Sequence, residues 1–296
     1  MPELITGPSG GVLGKDGGIV TQQLVDRHPD LARQFVTIGQ YPRAGHDRER
    51  WETVNWDDYR AHVGVQLSAG PWRIDAIEST AGDVTSWIAE AQGMPVTPPG
   101  WYTALMHKDR GLVMCDVPGE IAGALPFLDA ATLEHRRLLI TGLGLGILPA
   151  WLLATTSPWR IDIVEIDPDV IELITRDCRE QWAPNAWAAD PRLHIHHGDA
   201  HTWWPAGQRG CALHQTCRTW GNATWHAAFF DIWDTISPHN LPSMHRLHRR
   251  FGRRVAKMWS WERAECEAMR GRGQTLERPC WVSETGYPLN EETPGA

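Results

Sequence analysis

With 296 residues, the chain is long enough for one large domain with additions or for two modest ones. A net charge of −8, with 42% hydrophobic and 22% charged residues, is an ordinary globular balance and argues against whole-chain nucleic-acid binding. No apolar run reaches the length of a membrane span, and six scattered cysteines make no disulfide framework, which points to a reducing cytosol.

The opening "MPELITGPSGG" has neither the basic start nor the apolar stretch of a secretory signal. Residues 1–65 read as a partly ordered appendage rich in Gly, Pro and charge, with one amphipathic piece, "TQQLVDRHPDLARQFV". Next, "NWDDYRAHVGVQL" suits a short helix with Asn55 near its start. Residues 66–117 read as a small β-rich region: a strand "WRIDAIES", then a hairpin "GWYTALMHKDRGLVMCDVP" that turns at "HKDRG".

From Pro118 the period changes, and residues 118–285 read as one α/β domain. "GEIAGALPFLDAAT" has helical spacing, "RRLLITGLG" is an apolar run of strand length, and "ILPAWLLAT" is a helix. "RIDIVEID" is a second strand, "PDVIELITRDCREQW" a helix with Pro168 in its first turn, "RLHIHHGDA" a third strand and "HAAFFDIWD" a fourth. Then come a basic helix and one more strand, with residues 286–296 as a tail. Strands alternating with helices predict a Rossmann-like, doubly wound, mostly parallel sheet covered on both faces.

Gly142, Gly144 and Gly146 follow the first of these strands and open a helix, where glycine lets the backbone approach a ligand. Glu165 ends the second strand, where a carboxylate can accept hydrogen bonds from both hydroxyls of a ribose. The spacing is G-x-G-x-G, so the third glycine of the dinucleotide pattern G-x-G-x-x-G falls on Ile147. A pyrophosphate site therefore fits poorly, and a nicotinamide oxidoreductase ranks last among the readings.

"VEIDPDVIEL", "DPRLHIHHGDAHTW" and "HAAFFDIWDTISPHNL" occur in the order and register of class I S-adenosylmethionine-dependent methyltransferases. Within that superfamily the set most closely resembles the spermidine-synthase (aminopropyltransferase) branch, over about Leu138 to Leu241. The stretch from Gly111 to Gly146 also looks like uncharacterised methyltransferase-fold proteins of actinobacteria and their phages, a likeness that gives no activity. The resemblance implies that Gly142, Leu143, Gly144 and Gly146 flank the methionine part of S-adenosylmethionine, with Glu165 on its ribose and Ile166 against its adenine. Asp199 and Ala200 would sit at the adenine amino group, with Asp231 and Asp234 at the mouth of the pocket as candidate catalytic residues.

One departure bears on the donor. Aminopropyltransferases usually carry an Asp inside the glycine loop, where this chain has Leu145, and their D-S-S-D segment reads "DIWD" here. The leading reading is a methyltransferase acting on an unidentified, small-molecule acceptor. The alternatives are an aminopropyltransferase using decarboxylated S-adenosylmethionine and an inactive nucleoside-binding protein.

Plainer readings stand beside several of these residues. Asp231 and Asp234 suit a helix cap and a surface acid as well as chemistry. Cys211, His214 and Cys217, with His226 further on, have the chemistry of zinc ligands but lack the tighter C-x-x-C pairs of structural sites, so they read as loop residues with no metal expected, and zinc is the lesser reading. The basic segment His245 to Lys257 could attract an anionic substrate or nucleic acid, and reads more simply as a solvated helix face. His194, His196 and His197 read as surface or packing residues, and most of the seventeen tryptophans as core.

Overall fold

The computed structural model describes residues 5–6, 12–13, 19–20, 54–61, 66–79, 95–132, 136–180, 187–204, 224–273 and 278–279. Two compact units divide the chain: Met1–Val54 with Glu78–Gly100 and Trp281–Ala296, and Asn55–Ile77 with Trp101–Cys280. In the first, Ile5–Thr6, Val12–Leu13 and Ile19–Val20 form a small antiparallel sheet. The amphipathic piece "TQQLVDRHPDLARQFV" lies outside the described residues.

An antiparallel sheet begins with β1 (Leu67–Ala69) and β2 (Trp72–Ser79), followed by β3 (Gly100–His107) and β4 (Gly111–Cys115), in that spatial order. The predicted hairpin turn is where the sequence placed it, closed by Gly111 at φ +75°. The predicted helix after Asn55 is a single 3-10 turn, Trp56–Tyr59. Asp116, buried just past β4, holds the following residues by accepting hydrogen bonds from Arg60 Nε (3.0 Å), Ala61 N–H (2.9 Å) and Thr103 N–H (2.6 Å).

"GEIAGALPFLDAAT" forms two short helices, α1 (Pro118–Ala122) and α2 (Leu125–Ala131), interrupted at Gly123. The alternation then proceeds as β5 (Arg137–Thr141), α3 (Ile147–Thr155), β6 (Arg160–Glu165), α4 (Pro168–Glu180), β7 (Leu193–His197), β8 (Trp225–Phe230), α5 (Leu241–Phe251) and β9 (Val255–Ser260). A last helix, α6 (Arg263–Gly271), was not anticipated.

The five strands pair in the order β7-β6-β5-β8-β9, and every pairing is parallel. This is the Rossmann-like, doubly wound arrangement read from the sequence. All five residues of β5, at the centre, are buried, as expected of a strand covered on both faces. One part of the core packs Trp225, Phe230, Leu247 and Phe251, and on another part Phe127 stacks on Phe229 at 5.5 Å.

Asp162 is a fully buried carboxylate in β6. Its oxygens accept from Arg160 Nη2 (2.6 Å), Trp225 Nε1 (2.9 Å) and His196 Nε2 (3.0 Å), so it ties β6 to β7 and β8. Burial alone would raise its pKa. The hydrogen bonds from His196, Arg160 and Trp225 outweigh burial and hold it at about 2.

Among the described residues, no helix is long and apolar enough to cross a membrane.

Candidate functional site

The strand order reverses between β5 and β8, and a crevice opens there beyond the carboxyl ends of the strands. Open α/β sheets bind ligands at such a point. Here the crevice is a cavity of about 470 Å³, within the usual range for a small-molecule site. Its walls include Gly142 and Gly144 after β5, Glu165 and Ile166 at the end of β6, and Asp199 after β7. Asp231, Ile232, Trp233 and Asp234, after β8, complete that edge.

The glycine turn is built by close backbone approach. Gly142 has φ +86°, and its N–H donates to the Val164 carbonyl at 2.9 Å. A Cβ on Gly142 would overlap the carbonyl oxygen of Asp231, so the tips of β5 and β8 leave no room for a side chain. Gly144 has φ +50°, and a Cβ there would meet the sulfur of Met114, which reaches over from β4. That sulfur also accepts the Leu145 N–H at 3.5 Å. The steric obstacle at Gly144 is thus a thioether of the hairpin. Leu143, Leu145 and Gly146 stand behind the wall, and Leu145 is fully buried.

Glu165 is 8% exposed. One carboxylate oxygen accepts the buried Leu143 N–H at 2.7 Å and the other accepts the Asp167 N–H at 2.9 Å. It therefore clamps the glycine turn to the end of β6. A carboxylate has about four lone-pair directions, so this clamp leaves acceptor capacity for hydroxyl groups. Ile166, 65% exposed, presents an apolar side chain beside it in the cavity wall.

Asp199 and Ala200 lie on the wall after β7. The Asp199 carboxylate accepts the His201 N–H at 2.8 Å, and His201 Nε2 is 2.8 Å from Ser243 Oγ on α5. Burial, with nearby Arg246 and Arg250, lowers the His201 pKa against the opposing charge of Asp199.

Asp231 and Asp234 have different surroundings. Burial first, then the charges of Glu120, Glu262 and Glu165, push the Asp231 carboxyl well above the ordinary carboxylate range. Asp234 is more open and pairs with Arg110 Nη1 at 3.2 Å.

The far wall was not anticipated from the sequence. Trp72, Leu105, Val113 and Met114 come from the antiparallel sheet, Arg110 from the turn between β3 and β4, and Glu120 from α1. Trp72 Nε1 donates to Asp167 at 2.7 Å, which fixes β2 against the end of β6. One local sign is legible in the sequence, the cation Arg110 within the "HKDRG" turn, but nothing there links it to the glycine loop.

Cys211, His214 and Cys217 lie outside the described residues. The His226 ring accepts the Arg137 N–H at 3.1 Å, a strand-to-strand contact. No group of three His, Cys, Asp or Glu side chains among the described residues could hold a metal ion.

No family model matches the chain, and no curated protein matches it. Solved structures do. One is a proposed RNA methyltransferase from Pyrococcus horikoshii, at 11% identity and TM-score 0.30, covering 47% of this chain and 58% of that one. Another is protein arginine methyltransferase 10 of Arabidopsis thaliana, at 13% identity and TM-score 0.28, covering 44% and 31%. A third is a branched-chain polyamine synthase mutein from Thermus thermophilus, at 21% identity and TM-score 0.24, covering 40% and 27%. The chain spans less than two thirds of each of these proteins. Likeness at this level assigns no activity, and the fold rests on the strand order itself.

Proposed function

We propose that this chain is an S-adenosylmethionine-dependent transferase, acting as a methyltransferase on a small acceptor. The observation that carries the reading is convergence. Ends of four adjacent parallel strands deliver a glycine turn, the carboxylates of Glu165 and Asp199, and the carboxyl of Asp231 to one cavity. The cavity has the size for a nucleoside with an amino-acid tail. Its walls suit one: an acid with spare acceptor capacity for a ribose at Glu165, an apolar surface for a base at Ile166, and an acid for an exocyclic amine at Asp199.

When bound, the cofactor supplies an electrophilic methyl group on a sulfonium. What the chain contributes is position, desolvation and a proton acceptor. Asp231 stands beside Gly142 with raised proton affinity, placed to take the proton that an amine or hydroxyl acceptor gives up. Asp234, at the more open edge, supplies a second acidic contact. This division of roles rests on exposure and charge, and on the register that places both residues just past β8.

Aminopropyl transfer is the second reading, supported by the acidic mouth at Asp231 and Asp234. Leu145 weighs against it: fully buried behind the turn, it offers no contact to a ligand amine. Titration calorimetry with S-adenosylmethionine, its decarboxylated form, adenosylhomocysteine and NAD tests the proposal. Binding of S-adenosylmethionine and adenosylhomocysteine supports it. Binding of the decarboxylated form alone replaces it with the aminopropyl reading, and binding of NAD alone overturns both.

A further inference from the structure

The cavity wall is acidic on nearly every side, with carboxyl groups from Glu120, Glu165, Asp167, Asp199, Asp231 and Asp234. Among the described residues that line it, Arg110 carries the one permanent positive charge. His201, the imidazole on the wall, has its proton affinity lowered by burial.

Arg110 is fixed without its donors being consumed. Its guanidinium lies over the Trp72 ring, 4.8 Å from the centroid. Trp72 is itself pinned by its hydrogen bond to Asp167, and the edge of the His107 ring meets it at 4.8 Å. Stacking restrains the plane of the guanidinium while leaving its N–H edges open. Of its five N–H groups, Nη1 donates to Asp234 at 3.2 Å, through an ion pair whose partners are 45% and 42% exposed. Such a single-point, solvated pair is weak and exchanges readily with another carboxylate.

We propose that Arg110 is a carboxylate-binding subsite for the amino-acid end of the cofactor. The proposal rests on the nucleoside reading of the cavity. A ligand suited to this wall carries cationic groups and one carboxylate. The cations lie among the acids, and the carboxylate takes the one guanidinium, whose planar fork matches it in a bidentate geometry. S-adenosylmethionine has this pattern: a sulfonium and an ammonium with one carboxylate. Its decarboxylated form lacks the group that Arg110 recognises. Arg110 is thus the residue that selects a methyl donor over an aminopropyl donor, with Asp234 holding the guanidinium until the carboxylate arrives.

Calorimetry on the full chain tests this with four ligands: S-adenosylmethionine, adenosylhomocysteine, decarboxylated S-adenosylmethionine and 5′-methylthioadenosine, which has no amino-acid tail. The variants are Arg110→Met, which keeps an apolar stem over Trp72, and Arg110→Lys, which keeps the charge without the fork. The wild-type protein should prefer the two carboxylated ligands. Arg110→Met should weaken both by about 10- to 100-fold, the loss expected for hydrogen bonds to a charged group, and leave 5′-methylthioadenosine unchanged. Arg110→Lys should fall between. The subsite is overturned if Arg110→Met binds adenosylhomocysteine as tightly as wild type. It is equally overturned if all four ligands weaken together, or if the wild type prefers the decarboxylated form. Failure of the wild type to bind even 5′-methylthioadenosine removes the nucleoside reading, and the subsite with it.

Discussion

Replacing Glu165 by alanine should produce two separable losses. The first is structural. The carboxylate accepts the buried Leu143 N–H at 2.7 Å and the Asp167 N–H at 2.9 Å. Alanine leaves the Leu143 donor buried with no acceptor, at a cost of about 1–3 kcal/mol, while the Asp167 N–H, nearer the surface, can turn to water. For a domain of this size that lowers the melting temperature by about 3–10 °C, and the protein remains folded. The second loss is in binding. Removing a charged acceptor from two ribose hydroxyls should weaken adenosylhomocysteine by at least about 10-fold, measured by calorimetry well below the melting temperature. Glu165→Gln keeps the shape, but its amide nitrogen must face one of the two backbone donors. It should therefore lose part of the stability as well as part of the affinity. An unchanged dissociation constant in Glu165→Ala would refute the ribose assignment and leave Glu165 as the clamp of the glycine turn.

Asp231→Asn should lower turnover on a competent acceptor and leave cofactor affinity almost intact. Its effect on stability has a definite sign: a carboxyl with raised pKa loses stability as pH climbs above its unfolded value near 4, so the asparagine variant should melt higher at pH 7 and no higher at pH 3. Asp162 behaves oppositely. With a folded pKa of about 2, its contribution is complete above about pH 4 and disappears as pH falls from about 4 to 2, which acid unfolding of wild type against Asp162→Asn can measure. At pH 7, Asp162→Asn should cost about 3–5 kcal/mol in urea unfolding, because Arg160 and Arg137 lose their buried partner. Gly144→Ala should destabilise by about 1–2 kcal/mol through its left-handed backbone and its overlap with Met114, and adding Met114→Ala should return the steric part in a double-mutant cycle.

The parallel sheet was legible because each of its strands carries its signal locally. An apolar run such as "RRLLITGLG", followed by glycine and then by helical spacing, places β5 and α3 without reference to anything distant. "ILPAWLLAT" is α3 from end to end. The break at Gly123 and the helix α6 were less visible. Glycine interrupts a pattern whose apolar spacing continues across it, and α6 is preceded by its N-cap residue Glu262, which adopts a left-handed φ of +48° that its residue type does not announce. The site divides the same way. Glu165, Asp199 and Asp231 fall at strand ends, so register brings them to one edge. Trp72, Arg110 and Met114 belong to a separate antiparallel sheet, and their place on the cavity wall comes from tertiary contacts such as Trp72 with Asp167. The clamp that Glu165 forms on Leu143 was hidden for a related reason. Sequence places a carboxylate at a strand tip but does not say which N–H groups it meets there.

A crystal structure of the chain grown with adenosylhomocysteine tests the assignment of the cavity most directly. The expected result is one ligand between the glycine turn and Asp231. Its ribose hydroxyls should lie within hydrogen-bonding distance of Glu165, its adenine over Ile166 toward Asp199, and its carboxylate at Arg110. A ligand seated elsewhere, or a ribose in this cavity that makes no contact with Glu165, would contradict the account.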